Sequence, residues 1–167
     1  MKKTDNPSEN LSSNSLKVAK TKSHPFWRWF WLTFLVVSLA YAWYSFYVPS
    51  NDVVWAENMV SARELSKDSG KNMLLFFTGE WCVPCRIMKR EVFADKEVMK
   101  AINSQVVPVM IYIDAPNMEE IVKQYNIGGT PVTIFTDSQG NVLDYAVGKI
   151  GKTKFLEMLE NLDATGS

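Results

Sequence analysis

Cys82 and Cys85 are the only two cysteines in the chain, and they stand in the run Trp81-Cys82-Val83-Pro84-Cys85. The apolar run Asn72-Met73-Leu74-Leu75-Phe76-Phe77-Thr78 leads into them, and a helical pattern, Arg86-Ile87-Met88-Lys89-Arg90-Glu91-Val92, follows. A strand that ends on Cys-x-x-Cys places Cys82 at a helix N-terminus. There the unpaired N–H groups and the helix dipole favour a thiolate. The thiolate is the form that attacks disulfides, and Cys85, one turn further on, can resolve the mixed disulfide that results. Pro84 suits a first helical turn, where no N–H partner is lost.

Two other readings of the pair carry less weight. A structural zinc site needs about four ligands, and the chain holds no third cysteine, while its one histidine, His24, lies in a polar N-terminal stretch. A purely structural disulfide across so short a loop constrains the unfolded chain very little.

The elements that must hold the pair can be read on either side of it. Val53-Val54-Trp55 reads as a short edge strand, and Asn58 to Ser69 as an amphipathic helix closed by Gly70. The run 72–78 is apolar on both faces, as expected of a central strand in a sheet covered on both sides. Asp95 is an N-cap candidate for a helix through Val98, Met99 and Ile102. Val106 to Ile113 reads as a second central strand. Asn117-Met118-Glu119-Glu120 has the form of a capping box opening a helix to Tyr125. Pro131 to Thr136 and Val142 to Val147 flank Asp137-Ser138-Gln139-Gly140-Asn141, a hairpin signal. A last helix, Thr153 to Leu162, sets Phe155, Met158, Leu159 and Leu162 on one face. Strands interleaved with helices, then a hairpin and a closing helix, predict an α/β fold with a mixed sheet.

The chain has 167 residues, enough for one domain and an extension, and its 47% apolar content can build a packed core. Its net charge is zero but unevenly spread: residues 1–28 carry six Lys/Arg against Asp5 and Glu9. The rest is mildly acidic with no basic stripe, which argues against nucleic acid as a partner. Residues 1–25 are polar and read as a disordered tail. From Trp29 to Val48 no charge interrupts twenty residues, the length of a helix that crosses a bilayer core. Aromatic residues crowd both ends, as at headgroup level. We assign a transmembrane anchor over 26–48, a linker over 49–52, a domain over 53–163 and a flexible C-terminus over 164–167. The rival reading is a cleaved signal peptide, because Ala40-Tyr41-Ala42 resembles a cleavage site, although apolar character continues well past Ala42. Basic residues precede the span, so the N-terminus is expected in the cytoplasm and the cysteines across the membrane.

Residues 53–163 resemble the thioredoxin-fold family, through the Trp-Cys-x-Pro-Cys signature and Gly129-Thr130-Pro131 in the place of the family's cis-proline loop. Glu80-Trp81-Cys82-Val83, Phe93-Ala94-Asp95-Lys96-Glu97-Val98 and the Gly-x-Pro segment make the domain similar to the C-terminal, periplasm-facing domain of DsbD-type transmembrane thiol:disulfide interchange reductases. The resemblance implies a thioredoxin fold with a cis Pro131 beside Cys82. It also implies a substrate-receiving surface formed by Thr130, Pro131 and Trp81, on which the Thr130 backbone pairs with an extended segment.

The sequence departs from those relatives at two positions. Where they carry a buried Asp six residues before the first cysteine, this chain has Phe76; where the reductase domain has a Glu seven residues after it, this chain has Lys89. Acids that would raise the cysteine pKa are thus absent; Lys89 and Arg86 read first as a solvated helix face and otherwise as cations that favour the thiolate. Glu80 is the one acid left in the motif, and Val83 and Pro84 complete the set that modulates the pair. The expected function is a membrane-tethered thiol:disulfide oxidoreductase that needs no cofactor or metal beyond the Cys82–Cys85 disulfide. Its expected partners are exported thiol or disulfide proteins and a membrane electron donor or acceptor. Reduction is the favoured direction. The alternatives are an oxidase or isomerase of secreted proteins, or a non-catalytic tethered chaperone or binding module.

Overall fold

The computed structural model describes residues 25–165. The polar tail, His24 and the last two residues lie outside this range. Two units make up the chain, one up to Ser45 and one from Phe46 onwards.

In the first unit, helix α1 spans Pro25–Phe46. Its stretch Phe26–Phe46 is long and apolar enough to cross a membrane, and none of it is buried against protein. Thr33 donates its hydroxyl to the carbonyls of Trp29 (3.1 Å) and Phe30 (2.9 Å). The Thr33 hydroxyl is therefore satisfied within the helix, as an apolar surrounding requires.

The second unit contains α2 (Met59–Ser69), β1 (Asn72–Thr78), α3 (Val83–Glu91), α4 (Lys96–Gln105) and β2 (Val106–Tyr112). It continues with α5 (Glu119–Gln124), β3 (Val132–Thr136), β4 (Val142–Val147) and α6 (Lys152–Thr165). The sheet order is β2-β1-β3-β4. β1 runs parallel to β2 and antiparallel to β3, which in turn pairs antiparallel with β4. This is the mixed α/β sheet that the sequence pattern predicts.

β1 is central because both of its faces are apolar, and alternate residues feed two cores. Leu74 and Phe76 join Met88 of α3, Ile102 of α4 and Phe155 of α6 on one face. Met73, Leu75 and Phe77 join Ala62 of α2 and Ile121 of α5 on the other. Phe93 ties the first core together, edge-on to Phe76 at 4.7 Å, Trp55 at 5.4 Å and Phe155 at 5.5 Å. All four apolar residues expected on one face of the last helix are buried.

Helix ends follow their local chemistry. Asn58 Oδ1 accepts from the N–H groups of Val60 and Ser61, both at 2.9 Å. Asp95 caps α4 from Glu97 (3.0 Å) and Val98 (3.3 Å). Gly70 closes α2 at φ +70°, a left-handed conformation that suits glycine.

Two expectations are corrected. Val53-Val54-Trp55 forms no strand; a single parallel bridge, Ala56 to Val109, lies beside β2. The Val54 N–H goes instead to the Asn103 side chain at 3.0 Å. Ala56 donates to the Pro108 carbonyl at 2.8 Å, and the proline has no N–H to return to a neighbouring strand. Asn117 does not cap α5. The cap position is Met118, which makes no side-chain cap bond. Asn117 takes a left-handed turn conformation at φ +67°, which a short polar side chain tolerates.

Candidate active site

β1 delivers the chain to the cysteines at its C-terminal end, and α3 starts immediately beyond. Cys82 is the N-cap of α3, with its Sγ 3.2 Å from the Cys85 N–H, and Pro84 occupies the first turn. The two cysteines are joined as a disulfide, with Cα atoms 5.2 Å apart. They are not equivalent. Cys85 is fully buried in the core beside Met88, whereas Cys82 is half-buried at the surface. Of this pair, an incoming sulfur can reach only Cys82.

The other expected site residues fall around this disulfide in different ways. Trp81 is 82% exposed, a large aromatic face held outside any core. Val83 and Pro84 are exposed on the first turn of α3. The Thr130–Pro131 peptide bond is cis, with Pro131 buried and Thr130 half-buried. A Cβ placed on Gly79 would lie 3.8 Å from Thr130 Oγ1 and 3.9 Å from Cys82 Cβ. The cis-proline loop and the loop that carries Cys82 therefore both border that glycine.

Phe76 is completely buried in the same core as Cys85. Lys89 lies one turn beyond Cys85 on α3, with Nζ 3.2 Å from Tyr112 Oη and 4.8 Å from the ring centroid. The Glu80 side chain is exposed, and its backbone N–H donates to Asp114 Oδ2 at 2.9 Å. No cluster of three or more His, Cys, Asp or Glu able to hold a metal occurs among the described residues.

Asp114 and Tyr112 are the site residues that sequence reasoning misses. Both stand at the C-terminal end of β2, next to the C-terminal end of β1, where Ile113 N–H bonds the Thr78 carbonyl at 2.9 Å. A signal for them existed. In open α/β sheets, sites gather at the carboxyl ends of parallel strands, so the first polar residue after the second apolar run is a candidate. A cavity of about 630 Å³ opens between the two strand ends, lined by Glu80, Trp81, Tyr112, Asp114, Ala115 and Pro116.

A mixed sheet covered on both faces, with a Cys-x-x-Cys disulfide at a helix N-terminus opposite a cis-proline, defines a thioredoxin-fold redox domain. The chain belongs to the thioredoxin-like domain family, whose match covers residues 59–163. It is 30% identical over 104 residues to the thiol:disulfide interchange protein DsbD of Yersinia pestis (strain Pestoides F), a match covering 60% of this chain and 17% of that protein. It is 34% identical over 74 residues to DsbD of Ralstonia nicotianae, covering 44% of this chain and 12% of the relative. The chain thus matches less than a fifth of the length of these relatives. Among solved structures, a thioredoxin from Thermus thermophilus superposes with a TM-score of 0.62 at 21% identity, covering 69% of this chain and 91% of the other. The oxidised C-terminal domain of Neisseria meningitidis DsbD superposes with a TM-score of 0.53 at 22% identity, covering 61% and 90% respectively. At these identities the superpositions establish the fold.

Proposed function

We propose that this chain is a membrane-tethered thiol:disulfide oxidoreductase that reduces disulfides of exported proteins. The observation that carries the reading is the asymmetry of the pair, with Cys82 accessible at the N-terminus of α3 and Cys85 fully buried behind it. In the reduced enzyme the Cys82 thiolate attacks one sulfur of a substrate disulfide. That S–S bond breaks, and the departing sulfur leaves as a thiolate and takes up a proton. Cys85 then loses its proton and attacks Cys82 Sγ, which releases the second substrate sulfur and forms the intramolecular disulfide. Two electrons have passed to the substrate, and an electron donor at the membrane must return the pair to the dithiol. No further cofactor or metal is required. Trp81, Thr130 and Pro131 form the receiving surface around Cys82, and Val83, Pro84, Phe76, Lys89 and Glu80 tune the pair.

Similarity to proteins named for thiol:disulfide interchange supports the reaction class. The apolar helix α1 supports the tether, and the basic residues before it support a single span with the N-terminus in the cytoplasm and the catalytic domain on the outer side of the inner membrane. In this organisation residues 1–25 form the tail, 26–48 the anchor, 49–52 the linker, 53–163 the redox domain and 164–167 the C-terminus.

The test is a trapping experiment on the full chain in membranes. With Cys85→Ser, Cys82 should accumulate as mixed disulfides with substrate proteins, dissolved by a thiol reductant. Cys82→Ser should trap nothing. The opposite pattern would overturn the assignment of the nucleophile. Retention of all function in the double serine variant would point to a chaperone or binding module instead.

A further inference from the structure

The two positions at which acids are missing from the motif, Phe76 and Lys89, do not leave the nucleophile without a carboxylate. β2 brings one in from elsewhere in the chain. A Cβ on Gly79 would lie 3.7 Å from Asp114 Oδ2 and 3.9 Å from Cys82 Cβ, so the carboxylate and the nucleophile border the same point. The carboxylate is fixed there because Oδ2 accepts the Glu80 N–H at 2.9 Å. From this geometry, and on the reading that Cys82 is the attacking sulfur, we infer that Asp114 is a positioning residue that both anchors the loop 79–81 and raises the pKa of Cys82 by its charge.

The other charged and titratable groups around this loop are accounted for. Glu80 lies in the loop itself and its side chain is exposed. From α3 come Arg86 and Lys89, the latter bound to Tyr112 at 3.2 Å. Lys149, after β4, pairs with Glu91 at the far end of α3 at 3.3 Å. Among these groups Asp114 is the acid tied by a hydrogen bond to the cysteine loop. A carboxylate beside a thiol disfavours the thiolate by like-charge repulsion. Losing that repulsion stabilises the reduced, thiolate form, so the disulfide becomes more oxidising. Asp114 therefore biases the pair towards giving electrons away, the direction that the Lys89 cation opposes.

The variants Asp114→Asn and Asp114→Ala separate charge from anchoring. Asparagine keeps an acceptor for the Glu80 N–H and removes the charge. With the full chain in detergent, the rate of Cys82 alkylation against pH, in a Cys85→Ser background, gives the Cys82 pKa. Asp114→Asn is expected to lower that pKa by about half a unit, a threefold change in acidity constant, because the carboxylate is solvent-exposed and only partly felt. The difference should shrink at 1 M salt, where the screening length is about 3 Å. The reduction potential of Asp114→Asn, with both cysteines present, should become less negative. Asp114→Ala should show the same pKa shift and, in addition, faster proteolysis of the loop 79–81. An unchanged pKa and potential in Asp114→Asn, while the wild type still exchanges disulfides through Cys82, would overturn this inference alone. Failure of the wild type to form mixed disulfides on Cys82 would instead remove the catalytic reading on which it rests.

Discussion

The ring of Phe76 meets the ring of Phe93 edge-on, with centroids 4.7 Å apart, in the core that also holds Cys85. A position that could have held a proton acceptor behind the cysteines is thus used for packing. Truncation to Phe76→Ala is expected to cost about 3–5 kcal/mol in denaturant unfolding, the range for large aromatic residues removed from a core. Phe76→Asp should destabilise the fold too, since it buries an unpaired carboxylate. In the molecules that still fold it should raise the Cys82 pKa. An unchanged pKa would show that residue 76 does not communicate with the pair.

Lys89 contributes the opposite sign. Its ammonium is shared between the hydroxyl and the ring of Tyr112. Removing it with Lys89→Met is expected to raise the Cys82 pKa by a few tenths of a unit, read from alkylation rate against pH. Tyr112→Phe keeps the ring beneath the cation and loses one exposed hydrogen bond. Its cost should stay below about 1 kcal/mol, and the pKa should hold near wild type.

A charge cluster joins α4 to α6. Lys152 Nζ lies 2.9 Å from Asp95 and 2.8 Å from Glu97. The hydrogen bond from Lys152 holds the Asp95 carboxyl below its ordinary range, helped by the Val98 and Glu97 N–H groups and opposed by partial burial. Hydrogen bonds to Glu97 and then Asp95 push Lys152 upward. A depressed Asp95 lends stability that is in place above its unfolded pKa, about 3.9, and is lost as the pH falls through the folded value. A raised Lys152 lends stability that is present below about 10.4 and lost as the pH rises through its folded value. Lys152→Met is therefore expected to lower Tm slightly on the neutral plateau and to leave the acid and alkaline extremes nearly unmoved, so that both limbs flatten. Asp137, held down mainly by the Asn141 side chain, should preserve part of the acid limb.

For topology, a reporter enzyme active only outside the cytoplasm should work when fused after Ser167. Activity confined to a cytoplasmic reporter would sink the proposed location. Full-length chain should sediment with membranes, and a product starting near Trp43 would favour a cleaved signal peptide.

Much of this protein is decided locally, and those parts are legible in the sequence. The Cys-x-x-Cys spacing, the apolar run of β1, the caps at Asn58, Asp95 and Gly70 and the apolar stripe of α6 depend on contacts within a few residues. Periodicity and capping chemistry report such contacts directly. The local signal failed where a distant residue competed for the same backbone group. Asn103 takes the N–H of Val54, and Pro108 has none to offer, so the expected edge strand never forms.

Tertiary structure alone decides how the cysteines differ and what surrounds them. Burial of Cys85 follows from packing α3 on the sheet beside Phe76, Phe93 and Phe155. Asp114 stands 32 positions after Cys82 in sequence, and Thr130 follows later still. The parallel register of β1 with β2 and the antiparallel register of β1 with β3 carry all three to the same end of the sheet. Local spacing cannot encode that meeting, because its partners lie on strands and loops joined only through the sheet. The sequence by itself therefore determined a Cys-x-x-Cys pair at the start of a helix. Which charges would surround them was settled when the strand ends came together.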